Sequence, residues 1–182
     1  MVTPFIKLNK NFTVPDYTLL GRQMSFGHEV DGKFKGIEYL HVDCQNQDSV
    51  WAVIPAEYKK DFCMTVMRIN MPIPPHTDSG INTTINFYIK TDNCLTQYYK
   101  FKTDKPRTEQ VDNQTDGYIF DESDLDKTAS FTAQPTEMWL LDVSKPHGVE
   151  PQGTINERIA IALSSTLEYN VVKELLTETG YL

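Results

Sequence analysis

The sequence predicts a mainly-β domain, either a sandwich or a distorted barrel, with a few flanking helices. Four segments alternate apolar with other side chains at the period of two that half-buried strands require. Helical periodicity is confined to two places. The 182 residues suffice for one domain with its own core. Hydrophobic residues make up 40% and charged residues 23%, the balance of a globular chain rather than a disordered one.

In chain order, the opening MVTPFIKLNKNF lacks the basic-then-apolar order of a signal peptide, and no apolar run reaches membrane-spanning length. IPAEYKKDF reads as a short helix with Pro55 near its first turn. CMTVMRIN (Cys63–Asn70) is the first alternating segment. TTINFYIK (Thr83–Lys90) is the second, with Ile85, Phe87 and Ile89 on one face and Thr84, Asn86 and Tyr88 on the other. LTQYYKF and GYIFDESDL flank a polar stretch, Thr103–Gln114. They read as a hairpin or two strands carrying a long loop, which is either a surface insertion or a lid over a pocket. TEMWLLDV (Thr136–Val143) and RIAIALSS (Arg158–Ser165) complete the alternating set. STLEYNVVKELLTETG reads as a C-terminal helix closed by Gly180.

The three cysteines, Cys44, Cys63 and Cys94, are widely spaced and form no CxxC pair. They read as reduced thiols and place the chain in a cytoplasm. A net charge of -8 argues against nucleic acid as the main partner.

The stretch PPHTDSG carries His76 and Asp78 two residues apart, so on a strand both side chains leave from the same face. Two histidines and one carboxylate on one side of an ion leave positions open, the arrangement of non-haem Fe(II) oxygenases. Of the remaining histidines, His28, His41 and His147, the last lies just past a strongly apolar strand and is the natural second imidazole. Arg158 then opens a strand on which Ala160, Ala162 and Ser164 share its face. One guanidinium among small residues suits a cavity that receives a carboxylate. A second HxD, His41 and Asp43, has no such pattern after it and reads as a polar pair at a strand end.

His76-x-Asp78, the distal His147 and the R-x-A-x-A-x-S strand together resemble the Fe(II)- and 2-oxoglutarate-dependent oxygenases, of the small prolyl or aspartyl/asparaginyl hydroxylase type. The resemblance runs over roughly Thr65–Ser165. It implies a double-stranded β-helix (jelly-roll) core at about 63–165 in a single domain over 1–182, with a C-terminal helix at about 166–180. It implies that His76, Asp78 and His147 bind Fe(II), and that Arg158 binds the distal carboxylate of 2-oxoglutarate. Asn86 and Tyr88 are the candidates for a second contact to that cosubstrate. With O2, such a protein hydroxylates a C–H bond and releases succinate. Thr136 and Glu137 stand where family members often have a glycine. Nucleic-acid demethylases of the class typically carry a second arginine six residues after the first, where this chain has Ser164. The expected substrate is therefore a protein side chain or a small amino-acid-like molecule.

Two other readings use the same residues. A cupin-like metal enzyme without 2-oxoglutarate would bind its substrate through Arg158 directly, and a jelly-roll binding module would use the fold without catalysis. Several notable side chains read as ordinary. His28 is a loop residue, Trp51 and Trp139 are core, and Arg68 pairs with an acidic neighbour. Phe120–Asp126 is a solvated turn. Tyr98, Tyr99 and Phe101 line a substrate groove or simply pack a hairpin.

Overall fold

The computed structural model describes residues 3–45, 47–110, 116–150 and 157–182. β1 (Phe5–Asn11), β2 (Tyr17–Val30) and β3 (Lys33–Cys44) lead into a short helix α1 (Asp48–Trp51) and a 3-10 turn, Ala56–Asp61. β4 (Phe62–Ile69), β5 (Ile73–Asp78), β6 (Thr83–Lys90) and β7 (Leu95–Phe101) follow. After β8 (Thr108–Gln110) and β9 (Asp116–Phe120) come β10 (Leu125–Thr132), β11 (Glu137–Asp142), β12 (His147–Glu150) and β13 (Arg158–Ser165). The chain closes on helix α2 (Tyr169–Glu178). Mainly β is what the alternation predicts.

The strands lie in two antiparallel sheets and no barrel closes among the described residues. One sheet has the order β1-β11-β6-β13-β4-β3-β2, the other β10-β7-β12-β5-β9-β8. The four alternating segments are β4, β6, β11 and β13, and they are consecutive neighbours in the first sheet. The reason is that this sheet has two different faces to satisfy. Ile85, Phe87, Leu140, Ile161 and Leu163 point outward and are sealed by Val172 and Leu176 of α2. On the inner face, Tyr88, Leu141 and Ala160 meet Tyr98 and Phe131 of the second sheet. Trp51 and Trp139 pack at the edges of these two cores, Trp139 stacked on Phe131 with ring centroids 4.1 Å apart.

Four expectations change. The Ile54–Phe62 helix is a 3-10 turn with Pro55, in extended conformation, as its N-cap. The flanks of the polar stretch are two strands of one sheet but not a hairpin. β7 pairs with β10 and β12, while β9 pairs with β5 and with β8, a strand that the polar stretch itself supplies. Residues 111–114 of that stretch lie outside the described residues. His28 sits exposed on β2 rather than in a loop. The N-terminal strands, absent from the expected core, extend the first sheet at both ends: β1 on β11, and the β2–β3 hairpin on β4. That hairpin turns at Asp31-Gly32, both with positive φ (51° and 69°), as a two-residue primed turn requires. Cys63 and Cys94 are free thiols, in line with the reading of reduced cysteines. Among the described residues no helix is long and apolar enough to cross a membrane.

The turn into β11 holds a β-branched residue in left-handed backbone, Thr136 with φ 73°. It is kept there by its main chain: its N–H donates to Tyr88 O at 2.7 Å, and its carbonyl accepts from Phe12 N–H at 3.0 Å. Strain of this kind costs about 1–3 kcal/mol, and glycine returns roughly 0.5–1 kcal/mol of it through its greater unfolded-state freedom. Thr136→Gly should therefore raise stability by about 1 kcal/mol in urea denaturation, with both main-chain hydrogen bonds retained. A loss of stability would mean that the Thr136 side chain is worth more than its strain.

Candidate metal centre and adjoining cavity

His76 and Asp78 stand two residues apart on β5 and share a face. β12 runs antiparallel beside β5, and its first residue, His147, is the direct cross-strand partner of His76. The two imidazoles face each other with ring centroids 4.4 Å apart. Asp78 Oδ1 lies 3.5 Å from His76 Nε2 and 3.9 Å from His147 Nε2. One ligand atom from each of the three thus falls within 4.8 Å of the others, close enough to share one metal ion.

The ring orientations suit that purpose. His76 Nδ1 lies 2.8 Å from the Pro74 carbonyl and His147 Nδ1 lies 3.0 Å from the Lys145 carbonyl. A carbonyl can only accept, so each Nδ1 carries the hydrogen and each Nε2 turns a lone pair toward the cluster. Burial first, then the adjacent His76, pushes the His147 pKa down to about 4, which keeps this ring neutral at pH 7. Burial opposes ionisation of Asp78. Its interactions with His76 and His147 outweigh that burial, and the carboxyl lies below its ordinary range. Imidazole lone pairs and one carboxylate form a donor set for a divalent first-row metal.

Close backbone approach fixes the position of β5. A Cβ on Gly117 of β9 would lie 2.2 Å from the Thr77 carbonyl oxygen, and one on Gly148 of β12 would lie 2.8 Å from that of Ile73. Only glycine lets both neighbours come this near.

Arg158 projects from β13, in the facing sheet, and is 3% exposed. Its Nη2 donates to the Tyr88 hydroxyl at 2.6 Å and to Thr96 Oγ1 at 3.0 Å, and its guanidinium lies 4.8 Å from the centre of the Tyr88 ring. Among the described residues its Nε and Nη1 meet no partner. Asn86 Nδ2 faces the same Tyr88 hydroxyl at 3.3 Å, which leaves its Oδ1 unmatched. Because the Tyr88 oxygen already accepts from Arg158, its own hydrogen needs an acceptor. Turning the Asn86 amide over supplies one, and puts Nδ2 where the unmatched Oδ1 stands.

The metal cluster and Arg158 line one cavity of about 670 Å³ between the sheets. Asn86 and Thr96 line it as well, among apolar residues that include Ile81, Leu141, Val143 and Val149. The site residues read from the sequence are therefore brought together. Thr96 and Tyr98 are not among them, although Thr96 bonds Arg158 and Tyr98 packs on His147 at 5.7 Å between ring centroids. Both project from the same face of β7, and the alternation of LTQYYKF is the signal that pairs them. Tyr99 and Phe101 instead pack outside the site, Tyr99 donating to Glu150 at 2.7 Å and Phe101 meeting Phe120 edge-on.

His41 and Asp43 lie exposed on β3; His41 lines the outer part of the cavity but is not in the metal cluster. Arg68 pairs with Glu38 and with Glu157, each at 2.6 Å. The acidic run forms a 3-10 turn whose Asp121 and Asp124 pair with Arg107. None of the described side chains of Thr103–Thr108 lines the cavity. No protein-family model matches the chain, and a search of curated proteins finds none similar to it.

If this cluster is the metal site, His76→Ala should lose bound Fe(II) or Co(II), while His41→Ala should keep it, both read by metal content after anaerobic loading. The opposite pattern would move the site to the first HxD.

Proposed function

We propose that the protein is an Fe(II)- and 2-oxoglutarate-dependent oxygenase that hydroxylates a C–H bond of a protein side chain or of a small amino-acid-like molecule. The observation that carries this reading is the pairing, across one cavity, of a His-Asp-His cluster with a buried arginine that has two unmatched donors. A guanidinium at 3% exposure needs an anion, and a carboxylate fills its planar fork. A five-carbon diacid has one carboxylate to give to Arg158 while its 2-oxo acid end reaches the metal.

The strand order supports the corresponding fold. β4, β6, β11 and β13 are neighbours in one sheet, β5, β7, β10 and β12 in the other. Consecutive strands alternate between the sheets except at β7–β10, where the pair stays in one sheet. That winding supports our reading of these eight strands as a jelly roll, here a double-stranded β-helix.

On this reading His76 Nε2, His147 Nε2 and an Asp78 oxygen hold Fe(II). Bound there with O2 and 2-oxoglutarate, the iron supplies the oxidation, in which one oxygen atom enters the C–H bond and the other enters succinate as carbon dioxide leaves. The chain's own residues provide the rest. Arg158 neutralises the distal carboxylate, with Tyr88 and Thr96 fixing the plane of its guanidinium. The Asn86 amide adds a donor to the same acid. Leu141, Val143 and Val149 keep water from the inner end of the cavity, so the ionic contacts there act at low dielectric.

Arg158→Lys keeps the charge but loses the fork. A charge-assisted hydrogen bond is worth about 1.5–3 kcal/mol, so the apparent constant for 2-oxoglutarate should rise roughly ten- to a hundredfold. Iron content should not change, and Arg158→Ala should be worse. The measurement is succinate formation against 2-oxoglutarate concentration. Wild-type protein that binds Fe(II) but neither binds nor consumes 2-oxoglutarate would overturn the oxygenase reading in favour of a cupin-like enzyme.

A further inference from the structure

We infer that the group oxidised here is uncharged and reaches the cavity on an extended polypeptide laid along β2; the inference rests on the oxygenase reading and narrows its substrate class. The first argument is the distribution of charge. Among the described lining residues, formal charge belongs to Asp78 and Arg158 alone. Metal and cosubstrate use both. The outer half of the cavity then offers amide, hydroxyl and imidazole groups: Gln23, Tyr39, His41, Thr65, Thr84 and Ser164. Thr84 and Ser164 form a hydroxyl pair at 3.2 Å on the floor. A free amino acid would bring an ammonium and a carboxylate into a space that has no counter-charge left for either, at a large desolvation cost. The same residue inside a peptide brings neutral amides.

The second argument is the cavity mouth. β2 ends the seven-stranded sheet, so the outer backbone edge of its 14 residues is that of a terminal strand. Leu20 and Gln23 of β2 line the cavity, yet Leu20 is 70% exposed and the nearby Met24 61%. Terminal strands ordinarily protect themselves with charge; here the one charge between Leu20 and Met24, Arg22, lies 3.8 Å from Glu38 of β3, and the two apolar side chains flanking it stand open to a partner. A neutral extended peptide fits both features. Its backbone pairs with the edge of β2, Leu20 and Met24 pack under it, and one side chain turns into the cavity.

The test begins with anaerobic loading by Fe(II) and 2-oxoglutarate, followed through the charge-transfer absorption of the chelate. Failure at this step sinks the oxygenase reading itself, before any substrate is added. The loaded protein is then given O2 with one of three pools: the free standard amino acids, the same amino acids as N-acetyl methylamides, or a mixed nonapeptide library. Succinate release is measured, along with hydrogen exchange of the β2 amides. The expected result is succinate release at least roughly tenfold greater with the peptide pool than with free amino acids, a difference of about 1.4 kcal/mol, together with slowed exchange in β2. Leu20→Glu, an exposed change that spares the core, should remove the peptide effect and leave the chelate absorption intact. Stimulation by free amino acids equal to that by peptides would overturn the inference. So would no stimulation by any pool, or peptide turnover without protection of β2, as when that edge instead pairs with a second copy of the chain.

Discussion

Taking a guanidinium out of water costs several kcal/mol unless charge and hydrogen bonds replace the lost hydration, and the interior of this molecule is arranged around Arg158. Tyr88 and Thr96 satisfy one nitrogen, one from each sheet. Among the described residues the other two nitrogens meet no partner, and Arg158 lines the same cavity as the His-Asp-His cluster. Ala160 and Ala162 follow Arg158 on the same face of β13, so its own strand places no bulky side chain next to it. The strand start is itself anchored: Glu157, the preceding residue, binds Arg68 of β4 at 2.6 Å and Lys90 of β6 at 2.9 Å. Both sheets and a network of surface charge thus hold this one cation in place.

The same constraint explains what could be read from the sequence. The strands bearing Arg158 and Asn86 must present an apolar face to α2 and a polar or small face to the cavity, so their alternation is sharp and their faces were legible. His76, Asp78 and His147 were legible because few other histidines compete for the role. Thr96 and Tyr98 were not. A threonine and a tyrosine in an aromatic strand carry no chemical mark until the facing sheet brings Arg158 and His147 against them. Pairing partners were equally hidden. The middle of LTQYYKF is buried on both faces, and nothing in it tells that β12, a four-residue strand far along the chain, lies beside it. The β2–β3 hairpin is a different kind of miss. Asp31-Gly32 is a strong local turn signal, but the flanking strands are largely exposed and their alternation is weak.

Position within β5 is set by contact, not by hydrogen bonding alone. β9 and β12 press glycine against its carbonyls on either side, so the spacing of His76 from Asp78 and from His147 is a matter of backbone volume. At Thr136 the fold accepts the opposite compromise. A residue ill-suited to left-handed backbone is retained where β6 and the segment before β2 both bond to its main chain. The turn keeps its shape because tertiary contacts, rather than the local sequence, determine it.

The two HxD motifs show why local pattern does not make a metal site. His41 and Asp43 have the same spacing as His76 and Asp78, and both pairs lie on strands. The difference is in what stands opposite. Across from His76, in register on β12, is a third ligand whose ring is held by its own carbonyl partner. Across from His41, in register on β2, is Gly21, which has no side chain to offer. His41 and Asp43 are also exposed, so water solvates them and no desolvation pressure drives them to share an ion. The later pair is more buried, and the neighbouring strand brings a third possible ligand beside it, a group that could hold a metal ion. His41 keeps a place on the cavity wall.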